Sequence, residues 1–362
     1  MRVSIGLLAY NESQNIRSTL TSLFQQSLFS NLSDYEALEI IVVPNGCTDN
    51  TAQIARESLS ELTALFRPPQ LRWQVCELQQ PGKCNAWNHY VHYFSDVEAD
   101  NLILIDADIE FLNPDTLQNL LRGLEENSDA WVTKDVPIKD IALKSRKNLF
   151  ERLSAKVTDY PESAICGQLY CARARVVRQI WMPLGLSVED GFLAATIKTD
   201  LFTTTEDKRR VRLVPNASHV FEAYVSLPKL LDHEKRIVLG TIVNAYLFAY
   251  LWANCSPSQD AGVVTRTNYE QNPYWVKQIV DQAFTNRGWW LIPNWMMFRR
   301  LASLRKLPLP KMFLKLPVAL TAFCVDQLVF LRVNQQLHKQ ERGLGYWRSN
   351  DSSMPLPPAS TQ

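Results

Sequence analysis

The chain has 362 residues, 46% hydrophobic and 21% charged, an ordinary globular balance with room for one large α/β domain plus additions, or for two domains. A formal net charge of +1 gives no global attraction to nucleic acid, which is therefore not expected as a partner. Seven cysteines, none in CxxC spacing, fit neither a disulfide framework nor a zinc site and read as reduced cytosolic thiols.

Met1-Arg2 leads straight into VSIGLLA (3–9), an apolar first strand with no signal peptide before it. The segment 11–24 follows, with Ile16, Leu20, Leu23 and Phe24 on one helical face. LEIIVV (38–43) is a second strand, and a helix through 50–66 spaces Ile54, Leu59, Leu62 and Leu65 for burial. RWQVCEL (72–78) and LILI (102–105) are the next strands. Asn113-Pro114 then opens a helix carrying Leu117, Leu120, Leu121 and Leu124, before a fifth strand, AWVTKDV (130–136). This alternation predicts an α/β fold with a mostly parallel sheet and helices on both faces. Ligands of such sheets bind at the carboxyl ends of the strands, here AYNE, VPNG and DAD. Beyond 140, a basic, polar helix is expected over 143–157, then SAICGQLYCA (163–172) and SVEDGFLAA (187–195). RVRLVPNASHVF (210–221) reads as two short strands, 227–254 as a long helix, and the chain after 255 as loop-rich.

The residues at the strand ends allow chemistry without dictating it. Residues two apart on a strand share a face, so Asp106 and Asp108 should project side by side and disfavour each other's ionisation. A hard divalent cation, Mg2+ or Mn2+, would relieve them. Two solvated acids closing a strand satisfy the pattern equally. Asn45 and Glu12 can hydrogen-bond a base and ribose or serve as turn and cap residues. Lys83, after Gly82, can steady a diphosphate or point into water. Asp190 beside Glu189 is a candidate general base, or one of two acids at a helix N-terminus.

Taken together, these segments resemble the family 2 glycosyltransferases of the GT-A fold. AYNE (9–12) is similar to that family's opening motif around the nucleotide base, and VPNGCTDNT (43–51) to its DDGSTDxT. GKCNAWN (82–88) is similar to GKxxAxN, and DAD (106–108) to the metal-binding DxD. CGQLYCARARV (166–176) looks like the acceptor-side glycine loop and VEDG (188–191) like the ED motif. The stretch 215–241 looks like the approach to QxxRW. The resemblance covers roughly the first 240 residues, and its motifs fall in the family's order. It implies a GT-A catalytic domain over 1–240, divided into a nucleotide-sugar half (1–136) and an acceptor half (137–240). It also implies metal-dependent, inverting transfer from a UDP- or GDP-linked sugar to an acceptor hydroxyl. Carried onto this sequence, Ala9, Tyr10, Asn11, Glu12, Asn45, Lys83, Asp106 and Arg236 meet the donor. Asp106 and Asp108 hold Mg2+ or Mn2+. Gly167, Gln168 and His233 face the acceptor. Asp190, with Glu189 beside it, is the base.

The departures narrow this expectation. Pro44 and Asn45 replace the first two aspartates of DDGS. His233, Arg236 and Ile237 stand where processive members have QxxRW, and no bundle of membrane helices follows, so a non-processive enzyme is expected. A nucleotidyltransferase is the alternative enzyme, but AYNES lacks the glycine-rich, basic loop it needs. A non-catalytic nucleotide-sugar-binding protein is opposed by intact Asp106, Asp108 and Asp190.

The region 241–349 is expected to be helical, basic and aromatic, and 350–362 a disordered tail. RIVLGTIVNAYLFAYLWAN (236–254) carries Asn244 and reads as a core helix. Ala283 to Val325 holds no acid but contains Arg287, Arg299, Arg300, Arg305, Lys306, Lys311 and Lys315, mixed with Trp289, Trp290 and Trp295. That mixture suits an anionic membrane surface. LPVALTAFCVDQLVFL (316–331) is apolar apart from Asp326, a poor residue to leave facing lipid. A cytoplasmic enzyme at the cytoplasmic face of a membrane is expected, with a lipid or membrane-proximal glycan as acceptor.

Overall fold

The strands β1 (Arg2–Ala9) and β2 (Ala37–Pro44) are predominantly apolar, as both faces of a covered sheet require, and β2 is buried throughout. The computed structural model describes residues 1–64, 70–143, 162–223, 226–305 and 308–338. The remaining strands are β3 (Leu71–Val75), β4 (Asn101–Asp106), β5 (Glu110–Phe111), β6 (Val132–Lys139), β7 (Leu169–Arg173) and β8 (Val211–Phe221). They form one sheet in the order β3-β2-β1-β4-β7-β6-β8-β5. The half from β3 to β4 is parallel. In the other half β7 runs antiparallel to β4 and β6, and β5 antiparallel to β8, so the sheet is mixed.

Register positions the site. Ala9 pairs with Pro44 and Leu8 with Asp106, which brings the carboxyl ends of β1, β2 and β4 level. The antiparallel pairing of Ile105 with Leu169 delivers the start of β7, and with it Gly167 and Gln168, to the same edge. The Asp106 N–H donates to the Gln168 carbonyl at 2.8 Å, fixing that approach.

Two apolar layers sandwich the sheet. Helices Ile16–Phe24, Thr51–Ala64 and Thr116–Glu125 cover one face with residues such as Leu20, Leu59 and Leu120. Helices Lys83–His89, Glu189–Lys198 and Leu227–Asn254 cover the other, and their core continues into the C-terminal helices without a break. The Leu227–Asn254 helix runs straight through the 240/241 boundary expected from sequence. Asn244 on that helix donates to the Val188 carbonyl at 2.8 Å. A Cβ on Gly240 would lie 2.4 Å from Val188, so the helix sits hard against the VEDG turn.

Three sequence expectations change. Residues 210–221 are not two strands: β8 is one strand whose pairing to β6 shifts between Lys134 and Val136. Pro215, which has no N–H for the ladder, lies exposed at the shift and breaks the alternation. The chain after 255 is not loop-rich, for Ala261–Gln271 and Trp275–Arg287 are helices. The polar residues that suggested loops act partly as caps, as where Asp260 accepts from the Val263 N–H at 3.0 Å. The helix Lys83–His89 went unpredicted because its buried Asn85 and Asn88 interrupt the apolar pattern. Each is satisfied, Asn88 by donating to the Met182 carbonyl at 2.8 Å and accepting from the Met182 N–H at 2.8 Å, and Asn85 by donating to the Gln80 carbonyl at 2.9 Å. The expected basic helix of 143–157, apart from Leu143, and the 350–362 tail lie outside the described residues.

Candidate active site

The centre of the site is Lys83, at the first position of its helix. Its Nζ lies 2.7 Å from Asp106 Oδ2, 3.1 Å from Glu189 Oε1 and 3.2 Å from the Gly167 carbonyl. Burial alone would lower its pKa, but Asp106 and then Glu189 outweigh that and raise it, so the ammonium is held charged. Asp106, Glu189 and Lys83 are all largely enclosed, with side-chain exposures of 12%, 15% and 14%, and this strengthens their coupling relative to a surface pair. Gly167 packs on the same cluster: a Cβ there would stand 3.1 Å from Glu189 Oε1 and 3.4 Å from Asp190 Cβ.

The two acids of DAD part company. β4 ends at Asp106, which is buried, while Asp108 lies beyond the strand in a turn and is exposed. The side-by-side strand geometry read from their spacing therefore does not hold. The two still interact. Burial pushes the Asp106 carboxyl up, Lys83 opposes this, and Asp108 adds to it. Asp106 Oδ1 is buried with no hydrogen-bond partner, an acceptor directed at nothing in the protein.

The first loop closes one wall. Asn11, with φ of 55°, accepts the Thr48 N–H at 2.8 Å, and the Glu12 N–H donates to Thr51 Oγ1 at 2.8 Å, so AYNE and the β2 loop are stitched together. Burial pushes the Glu12 carboxyl up to about 7, the Asn15 hydrogen bond pulls back, and the charges of Asp108 and Asp106 push further. Asn45 is fully buried beneath this wall, and neither amide atom has a hydrogen-bond partner.

Asp190 lies in the first turn of the Glu189–Lys198 helix, its Oδ1 accepting the Gly191 N–H at 2.7 Å. Burial and the neighbouring Glu189 charge push it up to about 6, against Lys83 and Arg236. Arg236 is exposed and close enough to act on Asp190. His233 is half-buried on the same helix, its imidazole pushed down to about 4 by burial, Arg236 and Lys139.

The sequence reading missed one buried chain. His219 on β8 has Nδ1 2.6 Å from Asp135 Oδ2 and Nε2 3.3 Å from Gln168 Oε1, with Asp135 and His219 both fully buried. Asp135 orients the ring, and the ring in turn meets the side chain of Gln168, just ahead of β7. The only hint in sequence was a lone acid and a lone histidine on strands, far apart in the chain. Breaking this bond leaves a buried polar group alone, so Asp135→Ala should lower the unfolding free energy by about 2–4 kcal/mol. Denaturant unfolding measures it, and an unchanged midpoint would remove the structural role.

The sequence profile described as Glycosyl transferase family 2 matches residues 4–182. Among solved structures the chain is similar to the mannosyltransferase PcManGT from Pyrobaculum calidifontis, in complex with GDP-Man and Mn2+. Identity is 17% over 94% of this chain and 88% of that one, with a TM-score of 0.53. Glucosyl-3-phosphoglycerate synthase from Mycobacterium tuberculosis, in complex with Mg2+ and uridine-diphosphate, gives 19% identity over 67% and 78%, with a TM-score of 0.45. TarS residues 1–349 of S. aureus give 16% over 94% and 92%, with a TM-score of 0.47. No curated protein sequence matches. The fold and the site define a nucleotide-sugar-dependent glycosyltransferase with a GT-A-like sheet. Within that class, the chain belongs to glycosyl transferase family 2.

Arg299 and Arg300 turn inward onto Asp326, each with Nε at 3.0 Å, and Arg299 also reaches Glu234 at 3.4 Å. Asp326 is thereby buried and matched. Pro228–Asn254 and Lys315–His338 are both long and apolar enough to cross a membrane, but 44% of the first one's most apolar window is buried against 22% of the second's. The first is integral to the catalytic core, as its contacts with Val188 require.

Proposed function

We propose that this enzyme transfers one sugar at a time, with inversion, from a UDP- or GDP-linked donor to an acceptor hydroxyl on a lipid or membrane-proximal glycan, at the cytoplasmic face of a membrane. One observation carries this reading: a single buried ammonium, Lys83, joins Asp106 at the donor strand end to Glu189, next to Asp190, on the acceptor side. Donor phosphates and acceptor hydroxyl would thus meet across one cluster. Ala9, Tyr10, Asn11 and Glu12 would frame the nucleotide, while Lys83 and Arg236 supply positive charge for the diphosphate. Asn45 would contribute to the base only after the loop above it shifts, because it is fully enclosed. Gly167, Gln168 and His233 would line the acceptor, Gln168 being steadied by His219.

Among the described residues no three His, Cys, Asp or Glu side chains are grouped closely enough to hold a metal ion. The donor set nevertheless suits a hard cation: Asp106 keeps an unpartnered buried oxygen and Asp108 stands exposed beside it. These two would hold Mg2+ or Mn2+. When bound, such a metal neutralises charge on the departing nucleoside diphosphate. Asp190 takes the acceptor proton, and the freed oxygen attacks the anomeric carbon opposite the leaving group.

The test is transfer and donor hydrolysis with a panel of UDP- and GDP-sugars, with and without chelator. Activity should vanish in chelator and return with Mn2+ or Mg2+. Full activity in excess chelator would remove the metal from this scheme, and no turnover of any donor would remove the donor assignment.

A further inference from the structure

The Leu309–His338 helix has two opposite long faces. On the inner one, Asp326 is held by Arg299 and Arg300. Asn334, fully buried, accepts the Leu291 N–H at 2.9 Å and donates to the Trp289 carbonyl at 2.7 Å. Phe330 and Val333 pack beside them in the main core. The outer face carries Leu309, Phe313, Leu320, Cys324, Leu328 and Leu331. All six are exposed, Phe313 by 65% and Leu328 by 64%, and their spacing sets them in one stripe of the helix. At ~1.5 Å per residue the stripe runs for about 33 Å.

The segment's net charge is positive. From Ala283 to His338 the only acid is Asp326, which is buried, whereas Lys311, Lys315 and Arg332 are exposed on this helix. The neighbouring short helix adds Trp295, 60% exposed.

We infer that this outer face is an in-plane membrane contact: the helix lies along an anionic lipid surface and does not cross it. The inference rests on the membrane-facing acceptor proposed above and specifies the surface that reaches it. Length and composition alone would permit a span. Crossing, however, would pull Arg299 and Arg300 from Asp326, and Asn334 from the backbone at 289 and 291, leaving an acid and an amide in hydrocarbon. Lying flat keeps every one of these bonds and buries only the stripe. A second copy of the chain would cover the stripe too, but a two-fold contact would bring together two segments that carry exposed cations and no acid besides the buried Asp326, whereas anionic headgroups complement that charge.

The full chain, co-sedimented with phosphatidylglycerol-containing vesicles, should bind more tightly than to pure phosphatidylcholine. Phe313→Ser, Leu320→Ser and Leu328→Ser together should weaken binding by at least about tenfold and leave soluble-donor hydrolysis unchanged. Vesicles should slow reaction of Cys324 with a water-soluble maleimide, and slow a cysteine placed at Leu309 and one at Leu331 to the same extent. A Leu309→Cys thiol that stays fully reactive while Cys324 is protected would mean a span and overturn the inference. So would indifference of the unmodified protein to both vesicles, or a dimer in solution that the triple serine variant dissolves. If the face binds lipid but no lipid acceptor is glycosylated, the inference stands and the acceptor proposal falls.

Discussion

Asp190→Asn should keep nucleotide binding and lose turnover by about a hundredfold or more, the usual scale for a missing general base. The choice of Asp190 over Glu189 follows from their partners. Glu189 is bound to the Lys83 ammonium at 3.1 Å, which stabilises its anion and makes it a weak base. Asp190 has no such ion pair among the described residues, and burial beside the Glu189 charge brings its carboxyl up to about 6. A base must be unprotonated to act, so kcat/KM should rise with pH and level off above about 6. In the asparagine variant the residual rate should lose this acid limb. A variant that turns over normally, or keeps the limb, would transfer the role to another group. Binding measured separately, by calorimetry with UDP or GDP and Mn2+, distinguishes lost chemistry from a lost site.

How far the site could be read from sequence depended on where each residue sat in the chain. AYNE, VPNG and DAD follow apolar runs that could only be buried strands, so their arrival at one edge followed from the alternation of strands and helices. The link between Lys83 and Glu189 was not legible, because it spans more than a hundred residues and depends on β7 reversing direction beside β4. The Asp135–His219 bond was hidden similarly, across a bulge that no periodicity marks. Asn244 shows the converse. In sequence it argued only against a membrane span, yet in the fold it holds the turn that presents Glu189 and Asp190. The basic C-terminal segment was read as a single lipid-facing patch. The pairing of Arg299 and Arg300 with Asp326 was not legible because that acid lies on a different helix, the Leu309–His338 helix.

Asp106→Asn should have the second large effect, on two independent measurements. Asparagine keeps the shape but removes the charge that pairs with Lys83 at 2.7 Å. The ammonium then keeps Glu189 and the Gly167 carbonyl but loses its shortest ion pair, in an enclosed site. Breaking one side of a buried pair costs about 3–5 kcal/mol, so the variant should unfold at clearly lower denaturant. Its unpartnered Oδ1 also stops being a carboxylate oxygen, so Mn2+-dependent nucleotide binding should fade. Loss of several kcal/mol of charge stabilisation corresponds to a drop in transfer on the order of a thousandfold. Asp108→Asn provides the contrast. Asp108 is exposed and makes no ion pair among the described residues, so its change should spare stability while still impairing metal-dependent binding. Equal loss of stability in both variants would mean the acids act as one structural unit. Undiminished Mn2+-dependent binding in both would mean that DAD is a strand ending and nothing more, and that Lys83 serves only to neutralise it.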